Sequence, residues 1–511
     1  MAEGNDSKDL ALEPVAVKFS PGPEYAEARR KWQGVAGIER ASNGRLWATW
    51  YSGGCTEDAD NYVLLVTSGD NGRTWSEPVL VIDPPRRIRA SDSMLWHDPL
   101  GRLWLFWMQC EAFPSGGTPF DGRGGVWFIR TGNSGVAAPD WTNPRRIAHG
   151  TMLNKPIVLS TGEWMLTCGV RAAKGRYPLS LPEEQYSSVL VTLDQGETFE
   201  RRGCADVPNR DWDEHMVVER RDGSLWMLVR RKDGIGEAVS RDRGRTWQAT
   251  PHAVLPGPCA RFHIRRLRSG RLLLVNHHQF TGRNRLTAFL SEDDGASWPY
   301  TLLLDERSDV SYPDAVETPE GPVLVIYDRR RLGEGEILLQ SLTEEDILLN
   351  RSPGHDGGRL RLVSKIHRVN LGSKEAGFED GPFADCLIHV RRQRHEGQIA
   401  DRRVSIRAEG ADGVLTVPPI RFDGGSLYLN YAVLGGGSIR VELQDWRGVP
   451  IPGYALQDCT ALKDDKRAER VCWKQGHDVS ALAGQLIRMQ FALSRADLFG
   501  FRFSAPLPPG A

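Results

Sequence analysis

The sequence predicts an all-β chain, a six-bladed β-propeller with a C-terminal antiparallel β-sandwich. Three observations predict it. An octet of the form Ser/Thr-x-Asp-x-Gly-x-Thr/Ser-aromatic stands at 68–75 (SGDNGRTW), 240–247 (SRDRGRTW) and 291–298 (SEDDGASW), with a worn copy at 192–199 (TLDQGETF). A glycine turn followed by a short apolar run recurs six times. After residue 350 both patterns stop, and apolar and polar residues begin to alternate.

The six runs are NGRLWATWYSGG (43–54), LGRLWLFWMQC (100–110), TGEWMLTCGV (161–170), DGSLWMLVRR (222–231), SGRLLLVNHH (269–278) and EGPVLVIYDRR (320–330). Each is short, aromatic and branched, and follows a turn, which marks a buried strand rather than a helix. Their turn glycines, from Gly44 to Gly321, lie 47 to 61 residues apart. Repeats of that length build solenoids, propellers or arrays, and six copies of a strand-and-turn unit fit six blades of four strands. In the octets the Asp accepts backbone N–H bonds inside a tight turn, and the Gly supplies positive φ. Asp70, Asp242 and Asp293 therefore read as turn residues.

The chain has 511 residues, too many for one compact core. The expected division is an N-terminal extension (1–28), the propeller (29–350), a linker (351–379) opening on NRSPGHDGG (350–358), and the sandwich (380–511). The runs at 426–434, 438–446, 486–494 and 498–504 alternate apolar and polar residues, as half-buried strands do. Trp446, Tyr454 or Trp473 would be a stacking platform if this region bound sugar; otherwise it is a structural appendage. The segment 171–187 is the longest insertion between runs and is expected to cover part of a ligand-binding mouth.

Charge is balanced, 65 Lys and Arg against 66 Asp and Glu, which leaves no electrostatic footprint for nucleic acid. No apolar stretch reaches membrane-spanning length. The start, MAEGNDSKDLALEP, lacks an apolar signal core, so a cytoplasmic protein or one with its signal removed is expected. Eight cysteines lie scattered without a Cys-x-x-Cys pair and read as buried thiols, with Cys459 and Cys472 the pair that an oxidising compartment would bridge. No spacing resembles a zinc site, and no cofactor is expected.

The octets resemble the Asp-boxes of the sialidase (neuraminidase) superfamily, and the resemblance covers roughly 30–345. It implies a glycan substrate and a retaining mechanism with a Tyr nucleophile, a Glu partner, an Asp acid/base and three carboxylate-binding arginines. The segment 214–247 is similar to a fourth sialidase blade and puts Glu214 in the place of the tyrosine's partner and Arg230 in that of the second arginine. RNRLTAFLSEDDGASW puts Arg283 at the third arginine, and VSYPDAVETPEG puts Tyr312 at the nucleophile. In CTEDADNY, Glu57, Asp58 and Asp60 all lie near the family's acid, with Asp58 preferred. The first-blade Arg-Ile-Pro is absent: WQGVAGIERASNG has Gly34 where the arginine belongs. Arg29, Arg30, Arg86, Arg87 and Arg89 are nearby candidates to replace it.

The chemistry follows from the residue types. A phenol is a poor nucleophile at its ordinary pKa near 10, and an adjacent carboxylate takes its proton as general base. A neutral phenol also avoids the repulsion an anionic nucleophile meets beside a substrate carboxylate, whereas ordinary retaining glycosidases use two carboxyl groups. Arg230 and Arg283 offer the forked geometry that holds such an anion. The expected function is thus an exo-acting glycoside hydrolase that releases a terminal acidic sugar. Two alternatives stand beside it. One is a lyase or hydrolase on uronate- or rhamnose-capped glycans, worked by Tyr and by His97, His215, His263, His277 or His278. The other is a glycan-binding propeller without catalysis.

Overall fold

The computed structural model describes residues 11–366 and 406–504, apart from 55–56, 86–87, 112–123, 171–185, 213, 332–333, 351–359, 409–412, 421, 423, 446–447 and 486. The described residues fall into two compact units, divided after residue 367. Nearly all regular structure is strand.

The first unit holds six antiparallel sheets, five of four strands and one of five. Within each four-stranded sheet the strands follow chain order, and so do four of the five strands of the remaining sheet, from Gln33–Arg40 to Leu80–Ile82. The six apolar runs form the second strands: Leu46–Ser52, Leu103–Glu111, Trp164–Gly169, Leu225–Arg231, Leu272–His277 and Val323–Arg329. Each is hydrogen-bonded on both sides and buried throughout or nearly so, which is why these runs are continuously apolar.

Successive side chains of a strand point to opposite faces, and the cores record it. Leu225, Met227 and Val229 pack toward the third sheet, while Trp226 and Leu228 pack toward the fifth. Each successive pair of sheets shares such a core. One further core joins Val316, Leu324 and Ile326 of the sixth sheet to Ala36, Ile38 and Ala48 of the first, so the series returns to its start.

The first strands of the sheets meet around buried charge. Lys155 donates to the carbonyls of Ile38 (2.6 Å) and Leu95 (2.8 Å), from the first and second sheets. The same ammonium lies 2.8 Å from Glu39 and 3.1 Å from Asp314 of the sixth. His263 of the fifth sheet is 3.3 Å from the other oxygen of Asp314. Burial alone would raise both carboxylates, but Lys155 and the neighbouring His residues hold Glu39 down at about 2 and Asp314 well below its ordinary value.

The octet turns join third to fourth strands. In the first, Ser68 Oγ donates to Asp70, whose carboxylate also accepts from the amides of Arg73 and Thr74 and from Thr74 Oγ1. The worn copy keeps the pattern, with Thr192 in place of Ser and Asp194 bonded to Thr198. Asp70, Asp242 and Asp293 are thus turn residues.

Two boundaries differ from the sequence reading. The sixth sheet takes its fourth strand, Leu360–Lys365, from beyond residue 350, after a short helix, Glu344–Leu348. The stretch NRSPGHDGG marked this region as linker by composition, and ahead of it a capping box of Thr343 and Asp346 stands where an octet would. At the other end, Val17–Phe19 adds a fifth strand to the first sheet by pairing with Leu80–Ile82.

The second unit is built on one five-stranded sheet among the described residues. The four alternating runs form two long strands, Ser426–Asp445 and Ile487–Ser504, paired along their lengths. Gly435 to Gly437, between the first two runs, form a register shift inside one strand, where a β-carbon on Gly437 would clash with the carbonyl of Ser494. Trp473 is buried in this unit's core, its indole donating to the carbonyl of Val441, with Tyr454 edge-on to it. That burial removes Trp473 from consideration as a sugar platform, and Trp446 lies outside the described residues. Cys459 and Cys472 are unbridged thiols.

Candidate active site

Three of the six first strands bulge. The register shifts between Gly34 and Gly37, between Ser91 and Met94, and between Ser311 and Asp314. At each shift one non-glycine residue adopts a left-handed backbone: Val35 (φ 60), Asp92 (φ 52) and Tyr312 (φ 55). A bulge re-aims a side chain away from strict alternation, and left-handed backbone there costs on the order of 1–3 kcal/mol, held in place by the packing around it.

Tyr312, so turned, meets residues from other sheets. Its hydroxyl donates to Glu214 Oε1 at 2.9 Å and accepts from Arg230 Nη1 at 3.1 Å. Arg230 Nη1 also donates to Glu214 Oε2 at 2.8 Å. Glu214 precedes the first strand of the fourth sheet and Arg230 sits in its second. Arg230 also faces Asp211 (3.7 Å) and Cys259 Sγ (3.4 Å). Arg283, just ahead of Asn284–Ser291 in the fifth sheet, donates to the Cys259 carbonyl, and its guanidinium lies 5.6 Å from the centre of the Tyr312 ring. Arg331, two residues past the second strand of the sixth sheet, lies 4.5 Å from the same centre.

Burial, then Glu214, pushes the Tyr312 phenol up to about 12, against the pull of Arg230, Arg331 and Arg283. At neutral pH the phenol is therefore protonated, with its proton on the Glu214 hydrogen bond. The arrangement is a neutral phenol hydrogen-bonded to a carboxylate and faced by three guanidinium groups.

A second group of side chains adjoins this one through Arg331. Glu57 Oε1 accepts from Arg331 Nη1 at 3.2 Å and from Tyr51 Oη at 3.0 Å, and Arg89 stacks on the Tyr51 ring. Burial acts to raise Glu57, but Arg331 and Arg89 outweigh it and hold the group below its ordinary value. Asp92 accepts from Thr151 Oγ1 at 2.8 Å. Its burial, opposed by Arg89 and aided by Glu57, lifts it to about 6.

Of the residues read from the sequence, Tyr312, Glu214, Arg230 and Arg283 come together. Asp58 accepts the amide of Asp60 at 3.0 Å within its own turn, with Gly54 packed against its carboxylate. Asp60 is exposed. Glu57 is the carboxylate of this loop tied to the tyrosine's surroundings. Arg30 is committed elsewhere, to the carbonyl of Tyr25 and to Ser364. Arg86 and Arg87 lie outside the described residues, as does 171–185 of the long insertion.

The histidines lie in varied surroundings, and among the described residues Nε2 of His277 and both ring nitrogens of His263 make no hydrogen bond. His97 bonds Glu39 and Ser134, His215 the carbonyl of Ser188, and His277 the carbonyl of Asn284. His263 faces Asp314 and His278 packs edge-on to Phe289. Asp92 and Arg331 carry no sequence signal of their own. A shared feature is visible only in hindsight, since Asp92 follows Ser91 as Tyr312 follows Ser311, each at a bulge. Among the described residues no group of three or more His, Cys, Asp or Glu is placed to hold a metal ion. No helix among them is long and apolar enough to cross a membrane.

The family model described as a BNR repeat-like domain matches residues 44–325, over half of the chain. The chain belongs to the BNR repeat-like family. No curated protein matches it in sequence. Among solved structures it is similar to the Hadza microbial sialidase Hz136, at 19% identity and a TM-score of 0.50, over 62% of this chain and 66% of that one. It thus spans just under two thirds of that protein's length. It is also similar to the leech intramolecular trans-sialidase, solved with 2,7-anhydro-Neu5Ac, at 12% identity and a TM-score of 0.50, over 66% of this chain and 71% of that one. At such identities these likenesses establish a shared BNR-repeat, sialidase-like fold.

Proposed function

We propose that this chain is an exo-acting, retaining glycoside hydrolase that releases a terminal acidic sugar, sialic acid or a relative, from glycans. The observation that carries the reading is the Tyr312–Glu214 hydrogen bond of 2.9 Å with Arg230, Arg283 and Arg331 around it. Glu214 takes the phenol proton as Tyr312 attacks the anomeric carbon, and the sugar passes through a covalent Tyr312 intermediate that water resolves. The arginines attract the substrate's carboxylate and stabilise it in the transition state.

A leaving oxygen needs a proton. Asp92, at about 6, retains a protonated fraction near neutral pH, so we assign it that role ahead of Asp58 and of Glu57, whose arginine partners hold it ionised. The ring of six sheets is read as a six-bladed propeller, with the catalytic residues at one mouth, and the second unit as an accessory β-sandwich.

The test is turnover of 4-methylumbelliferyl glycosides of N-acetylneuraminic acid, its deaminated analogue, glucuronic acid, galactose and arabinose. The reading expects release from one or more of the acidic sugars and none from the neutral pair. Release from a neutral sugar alone would sink it.

A further inference from the structure

The anion clamp has one unexpected member, and the backbone of the first sheet is shaped around it. A β-carbon built on Gly34 would stand 2.1 Å from Cδ and 2.6 Å from Cγ of Arg331. No residue but glycine fits at 34 unless Arg331 leaves. The aliphatic stem of Arg331 therefore fills the space that a side chain at 34 would enter.

Arg331 is fixed there. Its Nε lies 3.5 Å from Asp328 Oδ1, and Asp328 is itself buried and held by the amide of Val35 (2.7 Å) and by Ser311 Oγ (3.0 Å). Those two partners flank the bulges that carry Gly34 and Tyr312. Arg331 Nη1 donates to Glu57 at 3.2 Å. Among the described residues Nη2 makes no hydrogen bond, and the side chain keeps 15% exposure. A guanidinium braced on two edges beside a phenol, with one edge open, is set to bind a planar anion.

The geometry points to Arg331 as the third arginine of the carboxylate clamp, reaching from the sixth sheet into the place a first-sheet residue at 34 would occupy, with Gly34 as the vacancy that admits it. The inference rests on the acidic-sugar reading above and names the residue that completes its site. Arg29, Arg30, Arg86 and Arg87 are then not needed for the clamp.

The experiment is isothermal titration calorimetry of N-acetylneuraminic acid, its 2,3-dehydro derivative and glucuronic acid on the whole chain. The proteins are wild type, Arg283→Gln, Arg331→Gln, Gly34→Ala, the double variant Gly34→Ala/Arg331→Gln, and the exchange Gly34→Arg/Arg331→Ala, with melting temperatures measured alongside. A lost charge-assisted bond is worth roughly tenfold to a hundredfold in Kd. Arg331→Gln and Gly34→Ala should each weaken binding by that factor, and the double variant should be no weaker than either, because both remove the same group. The exchange should recover at least part of the loss.

Unchanged affinity in Arg331→Gln, with Arg283→Gln weakened, would overturn the role of Arg331 and leave the acidic-sugar reading standing. Additive losses in the double variant would overturn the link between Gly34 and Arg331. Absence of binding to wild type by all three acids would overturn the reading and this inference together. Because Gly34→Ala keeps both Arg331 and Asp328 in the chain, it tests the claim even if Arg331→Gln, which takes away the cation beside Asp328, folds poorly.

Discussion

The phenol of Tyr312 and the carboxylate of Glu214, ninety-eight residues apart in sequence, share a buried hydrogen bond of 2.9 Å. Arg230 bonds both, so neither group moves independently. If Glu214 is the base, Glu214→Gln removes proton transfer while keeping the shape. We expect kcat to fall by about 10²–10⁴ with KM little changed. Steady-state kinetics on the best glycoside of the panel measures it, and a change confined to KM would show that Glu214 only binds.

Asp92 sets an expected pH limb. It is lifted to about 6, and the acid form is the one that donates. Hence kcat/KM should decline as pH rises through about 6. Asp92→Asn should remove that limb and lower the rate most for substrates with poor leaving groups. A profile that keeps its limb in Asp92→Asn would return the role to Glu57 or Asp58.

Lys155 neutralises two buried carboxylates, Glu39 and Asp314. Lys155→Met leaves them facing one another without that cation, and should cost about 3–5 kcal/mol in denaturant unfolding. The same groups fix the acid behaviour. Glu39 lies at about 2 in the fold against an ordinary 4.5. Its pKa is depressed, so its stabilisation is present above about 4.5 and is lost as pH falls toward about 2. Unfolding midpoints taken from neutral pH to pH 2 should drop across that window in wild type and drop less in Lys155→Met.

Two turn glycines separate backbone strain from packing. Gly223 (φ 79) and Gly295 (φ 89) both need left-handed backbone. A β-carbon on Gly223 meets nothing within 4 Å, whereas one on Gly295 would lie 2.4 Å from Trp226 Cζ3. Gly223→Ala should cost about 1–2 kcal/mol from backbone alone. Gly295→Ala should cost more, because Trp226 must also shift. Equal losses in melting experiments would mean that Trp226 yields freely.

The repeats made the ring of sheets legible, because each buried second strand leaves a continuous apolar run and each octet closes through its own Asp. They failed at the sixth sheet, where a capping box at Thr343 does the work of the octet and leaves no matching phrase. Tyr312, Glu214, Arg230 and Arg283 were legible because motif order fixes them. Arg331 was not, because its place depends on an absence, the missing side chain at Gly34, and on contact between the first and sixth sheets. Asp92 was hidden because burial and a bulge, rather than a neighbouring residue in the chain, give it its character. Asp58 looked suitable by position, but its carboxylate accepts the Asp60 amide within its own turn, and its neighbour Glu57 is the residue that meets Arg331.

The most direct measurement is the turnover of Tyr312→Phe on the acidic glycoside that wild type cleaves best, with folding checked by circular dichroism. The account predicts a loss of at least about a hundredfold in kcat with the fold intact, since the attacking oxygen is gone. Turnover within a few-fold of wild type would contradict it, for then Tyr312 is a buried core phenol and the nucleophile lies elsewhere.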